Sequence, residues 1–506
     1  MTDQSRFSGV GVVESERFEY ARRGHVIHQR KELPMPADLG SDYDLKRVLN
    51  YLETNKTRFR EMLEVLARIP SVSAEGYPIE EVLRSAEATC QAMRASGLQN
   101  VQVLTLPGVH PYAYGEWLGA KGAPTVLLYG HHDVQPPGRA EKWLTPAFQP
   151  SLRKDGRLYG RGTVDDKAGV MVHIAAIDAY LQTHGSLPVN VKFLVEGEEE
   201  IGSENLGGFL RKYRKRMKAD FIVLTDTGNL ETGLPSITYQ LRGIVAAEIE
   251  TRSLDHPLHS GMWGGPVPDP VVAICKILGG LNKADGTIDI PGFYRDVRKP
   301  TAKERARLRA LPFSETKFRS DGGLVKGLKL NGETQFSVYE RLWTRPALTI
   351  IALEASPIKG SSNQIVDSAR ARVCIRIVPN QNPKEILDRL VKRLKEKPPW
   401  GVQVTVKPLG AVPWWTTNPE GPAFEAAARA MQQGYGRKAV FIGAGGTIGF
   451  VEPFARELGG VPALLLGVED PICNAHSENE SLCLDDWYKG MKSAVYLYEE
   501  LSRCPR

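Results

Sequence analysis

Residues 190–203 read Asn-Val-Lys-Phe-Leu-Val-Glu-Gly-Glu-Glu-Glu-Ile-Gly-Ser, a mostly apolar run that breaks into four glutamates within five positions. A near-continuous apolar run of this length fits a strand covered on both faces of a sheet. The acids at its end repel one another unless cations lie nearby. Working outward, residues 124–129 and 220–225 repeat the pattern, and 101–104 is a further strand. Residues 170–181 read as a helix between two of these strands. Strands alternating with helices predict an α/β domain with a largely parallel central sheet. Around Arg242-Gly243 the style changes. Strand 244–251 leads to helix 270–281, whose Pro270 suits a first turn because its missing N–H costs nothing there. A charged stretch broken by Pro and Gly runs to about 345. Strands 347–354 and 369–378, helix 383–395 and strand 402–407 follow. After Pro413-Trp414-Trp415 the first style resumes, with helix 423–433, strand 463–466 and helix 487–501. The expected architecture is therefore α/β: a larger domain over 46–241 and 410–506, interrupted at 242–409 by an inserted α+β two-layer sandwich. Residues 1–45, punctuated by Pro34, Pro36 and Gly40, read as an N-terminal extension.

Bulk properties narrow the class. The 506 residues exceed one ordinary core, so two domains are expected. Hydrophobic residues at 42% and charged residues at 25% are ordinary for a soluble globular chain. No run of 18 apolar residues suggests a membrane span. The N-terminus lacks the apolar core of a signal peptide, so the cytoplasm is expected. The net charge of +6 is small, and the basic run Arg211–Lys218 reads as a solvated helix face because no nucleic-acid fold signature accompanies it. No nucleic-acid or membrane partner is expected. Six cysteines without a CxxC pair suggest free thiols rather than a zinc knuckle or a disulfide framework.

Five acidic or histidine clusters fall at strand ends or loops of the larger domain, where ligands gather in open α/β sheets. In Gly130-His131-His132-Asp133-Val134, His131 suits a metal ligand and Asp133 a carboxylate that orients its ring. In Gly160-Arg161-Gly162-Thr163-Val164-Asp165-Asp166-Lys167, adjacent carboxylates suit a bridge between two cations, or a cap for the next helix. Among the glutamates after residue 195, one suits a ligand and its neighbour a general base toward metal-bound water. Asp226 ends a strand, and His476 lies in Asn474-Ala475-His476-Ser477-Glu478-Asn479-Glu480.

The order GHxDV, GRGxxDDK, EGxEExGS, strand-end Asp and AHSxNE, from about residue 45 to the end, resembles the co-catalytic di-zinc metallopeptidases. That family includes carnosine dipeptidase, glutamate carboxypeptidase, succinyl-diaminopimelate desuccinylase and acetylornithine deacetylase, and the chain is most similar to the dipeptidase branch. The resemblance implies one metal on His131 and Asp226, another on Glu200 and His476, and Asp165 bridging both. It implies Glu199 as general base, Asp133 as the orienting carboxylate, and a cis peptide bond after Asp165. Setting EGEEEIGS on EGxEExGS leaves Glu198 as the variable position. Two Zn2+ per subunit are implied, with Mn2+ or Co2+ as substitutes.

The inserted domain resembles the family too, at Leu258-His259-Ser260-Gly261 followed by Gly264-Gly265. The resemblance makes the insert a lid or dimerisation domain, implies a homodimer, and has His259 stabilise the oxyanion in a partner subunit's site. Arg376 resembles the arginine that grips a substrate carboxylate, for which its planar fork is suited, and Asn363 a substrate contact. One loop departs from the pattern: Gly443-Ala444 stand where dipeptidase relatives carry Arg-Glu, and Gly449 where they carry proline. The implied reaction is amide hydrolysis of dipeptides or short peptides with a free carboxylate. An N-acyl-amino-acid deacylase using the same centre is the alternative.

Overall fold

In a computed structural model of the chain, residues 44–449 and 451–505 are described; the expected N-terminal extension lies outside them save for its last two positions. A nine-stranded mixed sheet dominates. At its centre four strands run parallel side by side: Asn190–Glu196, Thr125–His131, Phe221–Thr225 and Ala463–Leu466. Antiparallel Tyr112–Trp117 and Gln99–Leu104 extend one edge. Ser236–Leu241, Val440–Ala444 and Trp415–Thr416 extend the other.

Helices cover both faces of the sheet, which is why its central strands are apolar on both sides. Along Thr125–His131, Val126 and Leu128 pack into one core while Leu127 and Tyr129 pack into the other. Against the first face lies Lys167–His184, buried from Lys167 through Tyr180, flanked by Pro422–Tyr435 and Leu484–Ser502. A helix apolar all round belongs in the interior. It sits close: a Cβ on Gly169 would lie 2.0 Å from the Thr225 carbonyl oxygen, so only glycine fits there.

Residues of the insert form a separate four-stranded antiparallel sheet in the order Ala347–Glu354, Ser368–Ile377, Gly243–Arg252, Gln403–Val412. Helices Pro270–Gly279 and Pro383–Lys395 pack on one face around Ile274, Ile277, Ile386 and Leu390. Burial alternates strictly along Gly243–Arg252, the period of a sheet with one solvated face. The irregular stretch before 345 contains three short helices, Ala302–Arg309, Glu315–Asp321 and Val338–Trp343. Among the described residues no helix is long and apolar enough to cross a membrane, and all six cysteines are free.

Candidate metal centre

Each of the four parallel central strands ends in a chemically active group. His131 closes Thr125–His131, Asp226 follows Phe221–Thr225, Glu199 and Glu200 follow Asn190–Glu196, and Glu469 follows Ala463–Leu466. Adjacent parallel strands bring these carboxyl ends together as a matter of topology. Two loops complete the cluster, with Asp165 ahead of the buried helix and His476 in a turn where its own φ is +63°.

Asp165 sits at the middle. Its Oδ1 lies 3.0 Å from His131 Nε2 and its Oδ2 lies 2.9 Å from His476 Nε2. His131 Nε2 is also 3.7 Å from Asp226 Oδ1, and His476 Nε2 is 3.2 Å from Glu200 Oε2. So the cluster has two halves that share one carboxylate, each half with one imidazole and one further acid. Ligand atoms about 2.0–2.1 Å from a tetrahedral zinc lie about 3.4 Å apart, which the spacing of each half matches. All five residues read from the sequence as ligands converge here.

The charges point the same way. Asp165 and Glu200 drive the His476 imidazole up to about 11. Burial works against charge on His131, yet Asp133, Asp165 and Asp226 overcome it and hold the ring well above its usual range. Burial raises Glu199, reinforced by Asp226, Glu200 and Asp165, and burial with Asp165 raises Glu200. A site that holds this many carboxylates out of water is built for cations.

Asp133 organises the surroundings. His131 Nδ1 hydrogen-bonds the Asp133 backbone carbonyl at 3.0 Å and lies 3.5 Å from Asp133 Oδ1, and the Asp133 carboxylate accepts from the backbone N–H of Glu199 (3.2 Å) and of Glu200 (3.1 Å) and from Ser73 Oγ (2.6 Å). Glu198 turns away, accepting from Tyr112 and Asn205. Glu200 is held by Gln135 Nε2 at 2.8 Å. Among the described residues the Glu199 carboxylate accepts no hydrogen bond. The ends of two motifs are structural: Glu480 pairs with buried Arg161 at 2.5 Å and accepts from Val164 N–H. Lys167 donates to the carbonyls of Leu66 and Ile69. The peptide bond Asp165–Asp166 is cis. Asp166, not Asp165, stands at the helix N-cap position, and it makes no side-chain cap; its carboxylate accepts from His131 N–H.

Two acids went unread in the sequence. Asp166 and Glu469 each form a potential metal-holding group with these residues, Asp166 with His131 and Asp226, Glu469 with Asp165 and Asp226. Glu469 was available to the strand-end rule that found Asp226, since it comes three residues after Leu466.

The substrate-side expectations separate. Arg376 Nη1 donates to Thr447 Oγ1 (2.7 Å), whose hydroxyl donates to the Arg242 carbonyl (2.6 Å). This loop approaches the metal cluster: a Cβ on Gly449 would lie 3.5 Å from the carbonyl oxygen of Gly202, two residues past Glu200. His259 and Asn363 are neighbours, with Ser260 N–H donating to the Asn363 carbonyl. Both are exposed. The His259 ring accepts from Gly261 N–H, and no described contact joins it to the metal cluster.

The family model for peptidase family M20/M25/M40 matches residues 127–500. The chain belongs to this family. Among M20 relatives, cysteinylglycine-S-conjugate dipeptidase of Corynebacterium striatum is 30% identical over 362 residues, 71% of this chain and 77% of that protein. Beta-Ala-His dipeptidase of Homo sapiens is 28% identical over 481 residues, 91% of this chain and 93% of that one. Among solved structures, the di-peptidase Dug1p of Saccharomyces cerevisiae superposes with a TM-score of 0.82 at 26% identity, covering 92% of this chain and 99% of that chain. Human carnosine dipeptidase 1 gives the same score and identity over 92% and 100%. The M20 chain is thus a metallopeptidase, and its α/β architecture with a second, smaller sheet is that of its relatives.

Proposed function

We propose that the chain hydrolyses the amide bond of dipeptides or short peptides with a free carboxylate, using two divalent cations. The observation that carries this is Asp165, whose two oxygens serve two histidine–carboxylate pairs at once. His131 and Asp226 would hold one cation and Glu200 and His476 the other, with Asp165 placed to serve both. Zinc suits this donor set, and Mn2+ or Co2+ can replace it. Bound there, such a pair lowers the pKa of a shared water and polarises the scissile carbonyl. Glu199, held by no other donor, takes the water's proton and delivers it to the leaving amine. Asp133 fixes the His131 ring and, through two backbone N–H groups, the Glu199–Glu200 turn. Arg376 grips the substrate carboxylate, with Asn363 as a further contact.

Residues 46–241 and 410–506 form the metal-holding unit in this reading, and 242–409 the lid. Its edge strand Ala347–Glu354 exposes Ile351 (58%), the loop after it exposes Ile358 (95%), and the short helix Ser260–Trp263 exposes Met262 (78%). Covering that surface with a second copy makes a homodimer, in which His259 reaches the partner's site to stabilise the oxyanion. A cytoplasmic setting suits the free thiols. An N-acyl-amino-acid deacylase would use the same centre, but the relatives above are named as dipeptidases.

The test is turnover of a panel of dipeptides and N-acyl amino acids by the metal-loaded protein beside Glu199→Gln. The variant should lose about 10²–10⁴-fold in kcat while keeping its metals. Turnover confined to acylated amino acids, or insensitive to the substitution, contradicts the proposal.

A further inference from the structure

Counting what each acid near the centre already holds leaves one without an assigned task. Asp133 is taken up by two backbone N–H groups and Ser73. Glu480 is paired with Arg161, and Asp470 with Arg157. Asp165, Asp226 and Glu200 face the histidines. Asp166 accepts from His131 N–H. That leaves Glu199, the proposed base, and Glu469. A Glu469 oxygen lies within 4.8 Å of oxygens of Asp165 and Asp226, yet among the described residues no hydrogen bond or ion pair holds its side chain. Its backbone is fixed, because its carbonyl accepts from Asn229 N–H at 2.9 Å. The turn beneath it is locked as well: a Cβ on Gly467 would lie 1.2 Å from the Thr227 carbonyl oxygen, so the turn after Asp226 and the turn carrying Glu469 fit only with glycine there. The residue is part-exposed rather than sealed, so a ligand can reach it.

Strand order sets its direction. Glu199 and Glu200 follow the first of the four parallel strands, His131 and Asp226 follow the middle two, and Glu469 follows the fourth. Gly449, two residues past Thr447, packs beside Gly202 after the first strand, while Thr447 itself links Arg376 to the Arg242 carbonyl. First and fourth strands lie about 14 Å apart at about 4.8 Å per neighbour. An extended dipeptide spans about 7 Å, and the long side chains of Arg376 and Glu469 can close the rest. A peptide held with its carboxylate at Arg376 and its scissile carbonyl over the middle strands points its amino terminus at the fourth.

We propose that Glu469 receives the free ammonium group of the substrate and so selects unblocked peptides over N-acylated ones. The proposal deepens, and rests on, the peptidase reading above. It makes Glu469 a specificity residue: an acylated nitrogen carries no charge, and its acyl group would meet a carboxylate left without a counter-charge. Losing a hydrogen bond to a charged group of this kind corresponds to about 10- to 100-fold in affinity.

The experiment compares an unblocked dipeptide with its N-acetyl counterpart, as substrate or competitive inhibitor, for wild type, Glu469→Gln and Glu469→Asp, with bound metal measured on each. The expected result is a 10- to 100-fold rise in KM of Glu469→Gln for the unblocked peptide. Binding of the N-acetyl compound should stay unchanged, Glu469→Asp should recover part of the loss, and two metals should remain per chain. Unchanged discrimination in Glu469→Gln overturns the proposal while leaving the peptidase reading intact. Loss of a bound metal with equal loss on both compounds also overturns it, and makes Glu469 a metal ligand. A metal-loaded wild type that turns over no dipeptide overturns the proposal together with the reading it rests on.

Discussion

Asp165 presents one oxygen to each histidine, so in the proposed centre replacing it with asparagine would remove an anionic bridge rather than one ligand of one ion. Asp133 acts one step further out, through the His131 ring and the N–H groups of Glu199 and Glu200. Asp133→Asn should therefore weaken metal affinity by about 10- to 100-fold, read by calorimetric titration of the metal-free protein. Affinity equal to wild type would show that the Glu199–Glu200 turn holds itself. At this scale the sequence was informative wherever a motif carried several residues at fixed spacing. The register of EGxEExGS sets Glu198 apart from Glu199 and Glu200; in the structure Glu198 accepts from Tyr112 and Asn205. Glu469 was open to the strand-end reading that found Asp226 but was given no role, because a lone acid after a short strand looks like any turn until the neighbouring strands are known.

At the scale of elements, the buried helix Lys167–His184 is the wedge that places the Asp165 loop. Gly169→Ala would drive a methyl group into the Thr225 carbonyl, beside Asp226 of the proposed centre. We expect destabilisation of at least about 1–3 kcal/mol, measured by urea unfolding; an unchanged midpoint would mean the helix can shift freely. The same helix buries His173 between Thr225 Oγ1 (2.7 Å) and Tyr498 OH (2.9 Å), and burial lowers its pKa to about 3. The unfolded chain binds that proton more readily, near the ordinary 6.5. The contribution is therefore intact above about pH 6.5 and is lost as pH falls toward 3. The stability advantage of wild type over His173→Gln should shrink across that window, by up to about 1.4 kcal/mol per pH unit; a constant difference would contradict this. The central apolar strands and the strands of the smaller sheet were legible from their patterns, often to within a residue or two. Tyr112–Trp117, Ser236–Leu241 and Val440–Ala444 were not, because polar residues and glycines interrupt their patterns and only pairing with established strands fixes them.

For the whole molecule, the large sheet gathers the acid–histidine cluster and the insert carries the proposed substrate-side residues: Arg376 on the four-stranded sheet, His259 paired with Gln364 in a two-stranded ribbon, and Asn363 just before that ribbon's second strand. In the proposed dimer His259→Ala should lower kcat about 10²–10³-fold with metal content unchanged. Charged substitutions at Ile351 and Ile358 should yield monomers with a comparable loss, read by sedimentation and turnover together; a fully active monomer would contradict the dimer. Which surface pairs with which is invisible to sequence patterns, since an exposed edge strand reads like any other. The central claim, a peptide hydrolase that needs two cations sharing Asp165, is tested most directly by titrating the metal-free protein with Zn2+ or Mn2+ while following hydrolysis of an unblocked dipeptide. Turnover should reach its plateau at two equivalents per chain. A plateau at one equivalent, or no turnover at any loading, would contradict it.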